Sequence, residues 1–170
     1  MNLGEVMTIV SANEPDWSRE KKSAFSWHPS RSLLASIRAY QRHAKSRNPL
    51  RMFLKKLAVL RFRFWSIVTG ADIPLDSQIG GGLLLPHPNG VVIHPGARIG
   101  PNCLIFQQVT IGTRATNKLP TIGGHVDIGA GAKILGEVHI GDHACIGANA
   151  VVLTNVPAGK TAVGIPAVIV

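Results

Sequence analysis

The sequence predicts a mainly β fold, a parallel β-helix of hexapeptide repeats preceded by a short helical N-terminal segment. Two observations lead to this prediction. From Ile73 to Val152 aliphatic residues recur every six positions, and glycine follows directly in most of these hexads. Before this region the apolar spacing is that of amphipathic helices. Neither a helix nor an alternating strand has a period of six, whereas each flat side of a β-helical prism takes one hexad.

The N-terminal segment, residues 1–29, has no sustained periodicity, so we expect it to be a loose arm. Its start, MNLGEVMTIVSANEPDW, lacks the basic beginning and apolar run of a signal peptide. No window of about 20 residues is free of charge, so no transmembrane helix is predicted. We therefore expect a cytoplasmic protein.

Residues 30–70 are predicted to form two basic amphipathic helices. The first has apolar residues at helical spacing from Leu33, and the Asn48–Pro49 pair ends it because proline disfavours helical geometry in the residue before it. Gly70 suits the end of the second helix. The apolar residues on one face of this second helix are Phe53, Leu57, Leu60, Phe64 and Ile67.

Charge distinguishes these helices from residues 71–170, where the β-helix domain is predicted. Residues 23–70 hold ten Lys and Arg and no acidic residue, whereas residues 71–170 hold five residues of each sign. Such a basic surface fits nucleic acid, an anionic membrane or simply a solvated face. Because Lys and Arg lie opposite an apolar face, as on an ordinary surface helix, we predict no nucleic-acid binding. A weak membrane-surface association remains an alternative.

The hexad repeat loses its phase at two places. Between Leu85 and Ile93 two residues are extra, and His87 lies in that break. The second break is TRATNKLPT, residues 113–121, which we expect to leave the prism as a loop. Interruptions of a repeat scaffold commonly carry function, because insertions map to one working face.

A resemblance to a known family adds to this. The run IGAGAKILGEVHIGDHACIGANAVVLTNVPAGKTAVGIPAVIV resembles the last coils of the hexapeptide-repeat acyltransferases, in particular the serine O-acetyltransferases. The resemblance covers about residues 72–170. It implies a left-handed β-helix that assembles as a homotrimer, and an O-acetyltransferase that uses acetyl-CoA as its co-substrate.

The resemblance also implies the catalytic residues. His87, in PHPNG, matches the catalytic histidine that removes the proton of the acceptor hydroxyl, and Asp72 matches the carboxylate that orients it. Since three hexads make one coil, positions fifteen apart are expected on successive coils, about 4.8 Å apart as neighbouring strands are. The alternative is a histidine that fills a bulge beside a capping aspartate. His94, which follows an inward aliphatic residue, is expected to face solvent.

Further positions match the groove that holds coenzyme A between two subunits in this family. Small residues there let a pantetheine arm approach the backbone, a turn amide stabilises the oxyanion, and lysines meet the phosphates. The predicted cofactor-binding residues are Gly112, Thr113, Ala130, Lys133, Ala148 and Lys160. For each of them an ordinary role at a corner of the prism remains the alternative.

The acceptor site departs from the family pattern. The family's aspartate before the catalytic histidine is Pro86 here, its second active-site histidine aligns with Leu119, and residues 23–70 contain no acid. Only Lys118 keeps the cationic character of the carboxylate-binding position. An ammonium group without a carboxylate partner would lose hydration uncompensated. We therefore expect a sugar or polysaccharide-precursor hydroxyl as the acceptor, with serine, in cysteine biosynthesis, as the alternative. A non-catalytic β-helical assembly module is the next alternative.

Two further partners are not expected. The γ-class carbonic anhydrases, which share this scaffold, bind zinc through histidines about five residues apart, and His125 has no such neighbour. Cys103 and Cys145 lack zinc-site spacing and are expected to be small packing residues, so no metal is predicted. Serine acetyltransferases dock the cysteine-forming synthase through a tail ending in isoleucine. This chain stops at Val170, so no cysteine synthase complex is expected.

Overall fold

The computed structural model describes residues 10–23, 26–115 and 117–170. A 3-10 turn (Trp17–Glu20) precedes two helices, α1 (Pro29–His43) and α2 (Pro49–Thr69). Short strands follow: β1 (Gln78–Ile79), β2 (Val92–Ile93), β3 (Arg98–Ile99), β4 (Leu104–Ile105), β5 (Thr110–Gly112), β6 (Thr121–Ile122), β7 (Asp127–Ile128), β8 (Lys133–Leu135), β9 (His139–Ile140), β10 (Cys145–Ile146), β11 (Val151–Val152), β12 (Thr161–Gly164) and β13 (Ala167–Ile169).

The strands form the three sides of a prism. Side 1 has the order β2-β5-β8-β11, side 2 the order β1-β3-β6-β9, and side 3 the order β4-β7-β10-β12-β13. All strand pairs are parallel except β12 with β13, which closes the last coil as an antiparallel pair. Each coil passes through sides 1, 2 and 3 in turn, which is the parallel β-helix that the hexad repeat predicts.

Aliphatic side chains fill the interior of the prism. On side 1, Ile93 lies opposite Ile111 and Ile111 opposite Ile134, and all three are at most 1% exposed. The small residues two positions before each aliphatic, such as Ala97 and Ala132, are fully buried. Stacked aliphatic residues thus form one continuous core. Burial of their apolar surface is the main contribution to the stability of a fold whose strands are this short.

The helices close the first coil of this prism. Leu33, Leu34 and Ile37 of α1 belong to the same buried cluster as the prism interior. Helix α2 then returns along α1. Its start is capped by the side chain of Asn48, and its end by Gly70, whose φ of 63° is left-handed. The two helices are therefore packed onto the β-helix rather than standing apart from it.

The N-terminal arm is not loose where the structure describes it, which corrects the prediction for residues 10–23. Asn102, fully buried at a left-handed corner (φ 61°), donates from Nδ2 to the carbonyl oxygens of Ser11 (2.7 Å) and Glu14 (2.8 Å). Its Oδ1 accepts from the amide of Asp16 at 2.8 Å. Buried amide groups need such partners, and the arm supplies them. The remainder of the predicted arm includes residues 1–9 and 24–25, which lie outside the described residues.

A second anchor is an ion pair between the 3-10 turn and α1. The guanidinium of Arg38 lies 2.9 Å from the carboxylate of Glu20, and it also donates to the carbonyl oxygens of Ile79 and Gly80, both at 2.7 Å. Glu20 in turn accepts from the amide of Gly82 at 2.9 Å. Both side chains are largely buried, where charged hydrogen bonds are strong. The arm, α1 and the first coil are thereby joined.

Two histidines on successive coils lie at the edge between sides 2 and 3. His125 and His143 have φ values of 52° and 60°, and their Nδ1 atoms lie 2.8 Å apart. No group of three metal-ligating side chains occurs among the residues that the structure describes.

Candidate active site

His87 lies in the turn 86–90, which leads from side 3 of the first coil to β2. The two extra residues of this coil form the turn, and Gly90 adopts a left-handed φ of 68° within it. The amide of Gly90 donates to the carbonyl of Gly70 at 2.9 Å, so the turn rests on the end of α2. The side chain of His87 is exposed and therefore accessible to a substrate.

A cleft of about 450 Å³ opens beside His87, between the start of α1 and the end of α2. Trp27 and Val68 give it apolar walls, and Ser30 and Asn89 contribute polar groups. No aspartate or glutamate lines it within the described chain. The contribution of Trp27 and Ser30 could not be predicted from the sequence, because nothing in the spacing of residues 10–30 shows that they pack beside a turn some 60 residues later.

Asp72 does not lie directly opposite His87, which corrects the register expected for this pair. It forms a parallel bridge with Val92 instead, and its amide donates to the carbonyl of Val91 at 2.8 Å. The reason is the first phase break: the two extra residues lengthen this coil, so that the turn holding His87 comes before the point of pairing. The Asp72 side chain is exposed at the same corner. The hydrogen bonds of Asp72 in the described structure are made by its backbone, and none joins its carboxylate to the His87 ring.

The turn of His87 is the first of four that stack along the edge between sides 3 and 1, here called the His87 edge. The four turns are residues 86–90, 106–108, 129–131 and 147–149. Backbone hydrogen bonds join them: Gln108 N to Asn89 O at 2.9 Å, Gly131 N to Gln107 O at 2.8 Å, and Asn149 N to Ala130 O at 2.8 Å.

Three of the predicted cofactor-binding residues lie on this edge. Ala130 is in its third turn and Ala148 in its fourth, so they continue the line that His87 begins, over about 14 Å for three coil spacings. The coils approach closely here, since a Cβ on Gly129 would lie 2.6 Å from the Ala148 nitrogen. Lys133 is held beside the edge, where its ammonium donates to the carbonyls of Gln108 (2.9 Å) and Gly131 (2.7 Å).

The other predicted site residues lie on different edges. Gly112 ends β5 at the edge between sides 1 and 2, with open space where a side chain would be, and the exposed Thr113 follows it into the loop. Lys118, in the same loop, forms an exposed ion pair with Glu137. Lys160 is exposed on the edge between sides 2 and 3. Within one chain, these four residues do not meet His87.

His94 faces solvent, as predicted. Its side chain is exposed, and its Nδ1 accepts a hydrogen bond from the amide of Gly96 at 3.1 Å. This contact stays within one turn, so it serves the local backbone rather than the cleft.

Comparison with known proteins shows the family to which this architecture belongs. The family model described as bacterial transferase hexapeptide (six repeats) matches residues 120–154. A serine acetyltransferase of Synechocystis is 50% identical over 101 residues, which cover 58% of this chain and 41% of that protein. The solved soybean serine acetyltransferase apoenzyme is 35% identical, with a TM-score of 0.62, over 86% of this chain and 72% of that one. The chain belongs to the hexapeptide-repeat transferase family.

Within this family the fold is the left-handed parallel β-helix, as the resemblance implies. A serine acetyltransferase solved in complex with CoA is 34% identical and has a TM-score of 0.69, over 85% of this chain and 58% of that one. The chain spans about half the length of the curated relatives that it matches.

Proposed function

We propose that this protein is an acetyl-CoA-dependent O-acetyltransferase with His87 as its general base. The observation that carries the proposal is the placement of His87, an exposed imidazole in a cleft at the head of an edge lined by small residues. The resemblance to enzymes named serine acetyltransferase supports the reaction class. The neighbour solved with CoA supports the co-substrate.

In this proposal the acceptor hydroxyl lies in the cleft with its proton directed at the neutral His87 ring. The ring takes the proton as the oxygen attacks the thioester carbonyl carbon, which gives a tetrahedral oxyanion. Collapse of this intermediate breaks the carbon–sulfur bond, and the CoA thiolate receives the proton back from the imidazolium. The products are the O-acetyl ester and CoA with a free thiol. Asp72 is proposed as a positioning residue, for which its carboxylate has to come within hydrogen-bond distance of the His87 ring.

Coenzyme A is proposed to lie along the His87 edge. Ala130 and Ala148 leave room for the pantetheine arm, and Lys133 adds positive charge near it. The edge is about 14 Å long over three coil spacings, enough for an extended arm whose thioester reaches His87. Gly112 and Thr113 are proposed to reach this site from a second subunit, where an amide of their turn stabilises the oxyanion.

The same proposal assigns Lys118 and Lys160 to that second subunit. Both are exposed on edges away from His87, so a homotrimer would have to bring them to a neighbour's site. Lys118 would leave Glu137 to meet the acceptor's carboxylate, and Lys160 would meet a CoA phosphate.

L-Serine is the proposed acceptor. The names of the relatives, serine acetyltransferase in organisms as different as Synechococcus and Mycobacterium, support it over the sugar hydroxyl that the sequence favours. A sugar acceptor stays the second candidate on one observation: the cleft has no carboxylate among the described residues to meet an ammonium group, and Pro86 lines it where the family has aspartate.

Release of free CoA thiol from acetyl-CoA tests these assignments with L-serine, homoserine, and a panel of sugars and nucleotide sugars. We expect L-serine to be turned over with a kcat/KM of at least about 10⁴ M⁻¹s⁻¹, the low end for ordinary enzymes. The His87→Ala variant is the negative control, because it lacks the proposed base. Turnover of a sugar alone would replace serine as the acceptor. Tight binding of acetyl-CoA without turnover of any acceptor would favour the non-catalytic assembly module.

A further inference from the structure

Helix α2 exposes a continuous apolar stripe along its whole length. Its members follow helical spacing, and each is between 43% and 83% exposed: Leu50, Phe53, Leu57, Leu60, Phe64 and Ile67. The residues predicted from sequence to share one face do share it, but this face points away from the protein. A monomer surface seldom leaves so many large apolar side chains together unless they contact something else.

The stripe is free because α2 uses its opposite face to pack. Ala58 and Thr69 are buried on that side, and Phe62 and Trp65 pack against the core cluster. Helix α2 is therefore apolar on two faces. One face is covered within the chain, whereas the stripe stays exposed. Among the described residues, Phe64 packs edge-on against its neighbour Trp65, with ring centroids 5.0 Å apart.

Basic side chains flank the stripe on both sides rather than only lying opposite it as the sequence suggests, because the opposite face packs against the core. At about 100° per residue, Arg61 falls beside one border, and Lys56 and Arg63 fall beside the other. All three are exposed. No acidic residue occurs between Glu20 and Asp72 along the chain, and Glu20 is already paired with Arg38. The surface around the stripe is thus apolar in the middle and positive at its borders.

We propose that α2 docks this surface onto an anionic lipid bilayer, lying in the plane of the headgroups. The apolar side chains would enter the acyl boundary, while the flanking cations meet lipid phosphates and carboxylates. A second copy of this chain is a poorer occupant, because two such surfaces would bring cations against cations. Neither helix in the described residues has the length and hydropathy needed to cross a membrane.

The docking surface adjoins the candidate active site. Val68, which is 39% exposed next to the stripe, also lines the cleft beside His87. A bilayer in contact with α2 would therefore lie beside the mouth of that cleft. The proposal does not depend on the acetyl-transfer reaction, and it is tested without an activity assay.

The experiment is co-sedimentation of the full chain with vesicles of phosphatidylcholine alone or with about 30% phosphatidylserine. We expect binding to the anionic vesicles, at least tenfold weaker binding to neutral ones, and a loss of binding at about 0.5 M NaCl as the charges are screened. Phe64→Ser with Ile67→Ser should reduce the partition at least tenfold. Val168→Ser with Ile169→Ser, an exposed apolar pair outside α2, is the matched control and should bind normally.

A second pair of variants distinguishes the effect of the charges beside the stripe from the effect of net charge. Arg61→Gln with Arg63→Gln should weaken anionic binding several-fold. Arg42→Gln with Lys45→Gln, which removes the same charge from the end of α1 and the turn that follows it, should weaken it less. Equal binding by the stripe variant and the parent would overturn the proposal. So would a smaller assembly mass for the stripe variant in light scattering, since the stripe would then cover another copy, and so would a preference for RNA over vesicles.

Discussion

Asp72 lies opposite Val92 on side 1, and both side chains point outward from the prism. This pairing places the Asp72 carboxylate on the outer surface of the first coil, at the corner where the turn 86–90 arrives. The turn is held there by the hydrogen bond from Gly90 to Gly70. The carboxylate and the His87 ring thus share a corner without a direct hydrogen bond in the described structure, and substrate binding is the event expected to bring them together.

Replacing Asp72 tests this positioning role. Asp72→Asn should lower kcat about 10- to 100-fold, as removal of an orienting partner does, and it should leave the KM for acetyl-CoA nearly unchanged. Asp72→Glu should restore part of the loss, because the carboxylate is present but displaced. Steady-state kinetics of the three proteins measure this. An unchanged kcat for Asp72→Asn would remove Asp72 from the site.

Removing the base should have a larger effect. His87→Ala is expected to lower kcat by about 10²- to 10⁴-fold, the usual loss when positioned acid–base catalysis disappears. The matched control is His94→Ala, since His94 is also exposed but lies directly after β2, where its ring accepts a hydrogen bond from the Gly96 amide. Comparable losses in the two variants would show that His87 has no special role.

The anchoring of the arm by Asn102 predicts a difference in stability between two corner asparagines. Asn102→Ala removes the three hydrogen bonds that the buried Asn102 amide makes to the arm and should lower the free energy of unfolding by about 2–4 kcal/mol. Asn149→Ala has the same left-handed backbone (φ 56°) but an exposed side chain. It should cost only about 1 kcal/mol, for the strained backbone.

Urea unfolding of the two variants and the parent measures this difference. Trypsin provides a second reading, because release of the arm in Asn102→Ala should speed cleavage at Lys21 and Lys22. Equal stabilities for the two variants would mean that the arm contributes nothing to the fold.

The two cysteines are predicted to differ in reactivity. Burial raises the pKa of the Cys103 thiol to about 11, and its Sγ also donates to the carbonyl of Gly123 at 3.2 Å. At about pH 8 its thiolate fraction is then on the order of 10⁻³, and the side chain is inaccessible. Cys145, contrary to the packing role expected of it, is exposed. Burial also raises its pKa, with Asp127 adding to the effect, but its sulfur can be reached.

A chromogenic disulfide should therefore titrate one thiol in the native protein and a second only after unfolding. The rate for Cys145 should rise with pH as its thiolate forms. In Cys145→Ser no native thiol should react, and this variant is also the better background for the CoA-release assay. Rapid labelling of two thiols in the folded parent would contradict the burial of Cys103.

Assembly is the last prediction. Because Gly112, Thr113 and Lys118 lie on a different edge from His87, the proposed site is complete only with a neighbouring subunit, and we expect a homotrimer. Light scattering should give about three times the 18.1-kDa chain mass. A monomer mass would show that these residues do not complete the site.

The core of the fold could be predicted from the sequence, because the hexad is a local property. Whether a residue such as Ile111 or Ile134 points inward depends only on its position within six residues, and each of these aliphatics is buried. The break that contains His87 was visible for the same reason, since an extra pair of residues interrupts a strict count.

Tertiary structure alone decided three other features, each of which depends on contacts between distant residues. The register that pairs Asp72 with Val92 depends on how a turn absorbs two extra residues. The docking of the arm depends on a buried amide at Asn102 that meets residues about 90 positions earlier. The direction of the stripe around Phe64 depends on which face of α2 fits α1 better. An amphipathic pattern shows that a helix has an apolar face, but only packing determines whether that face is covered.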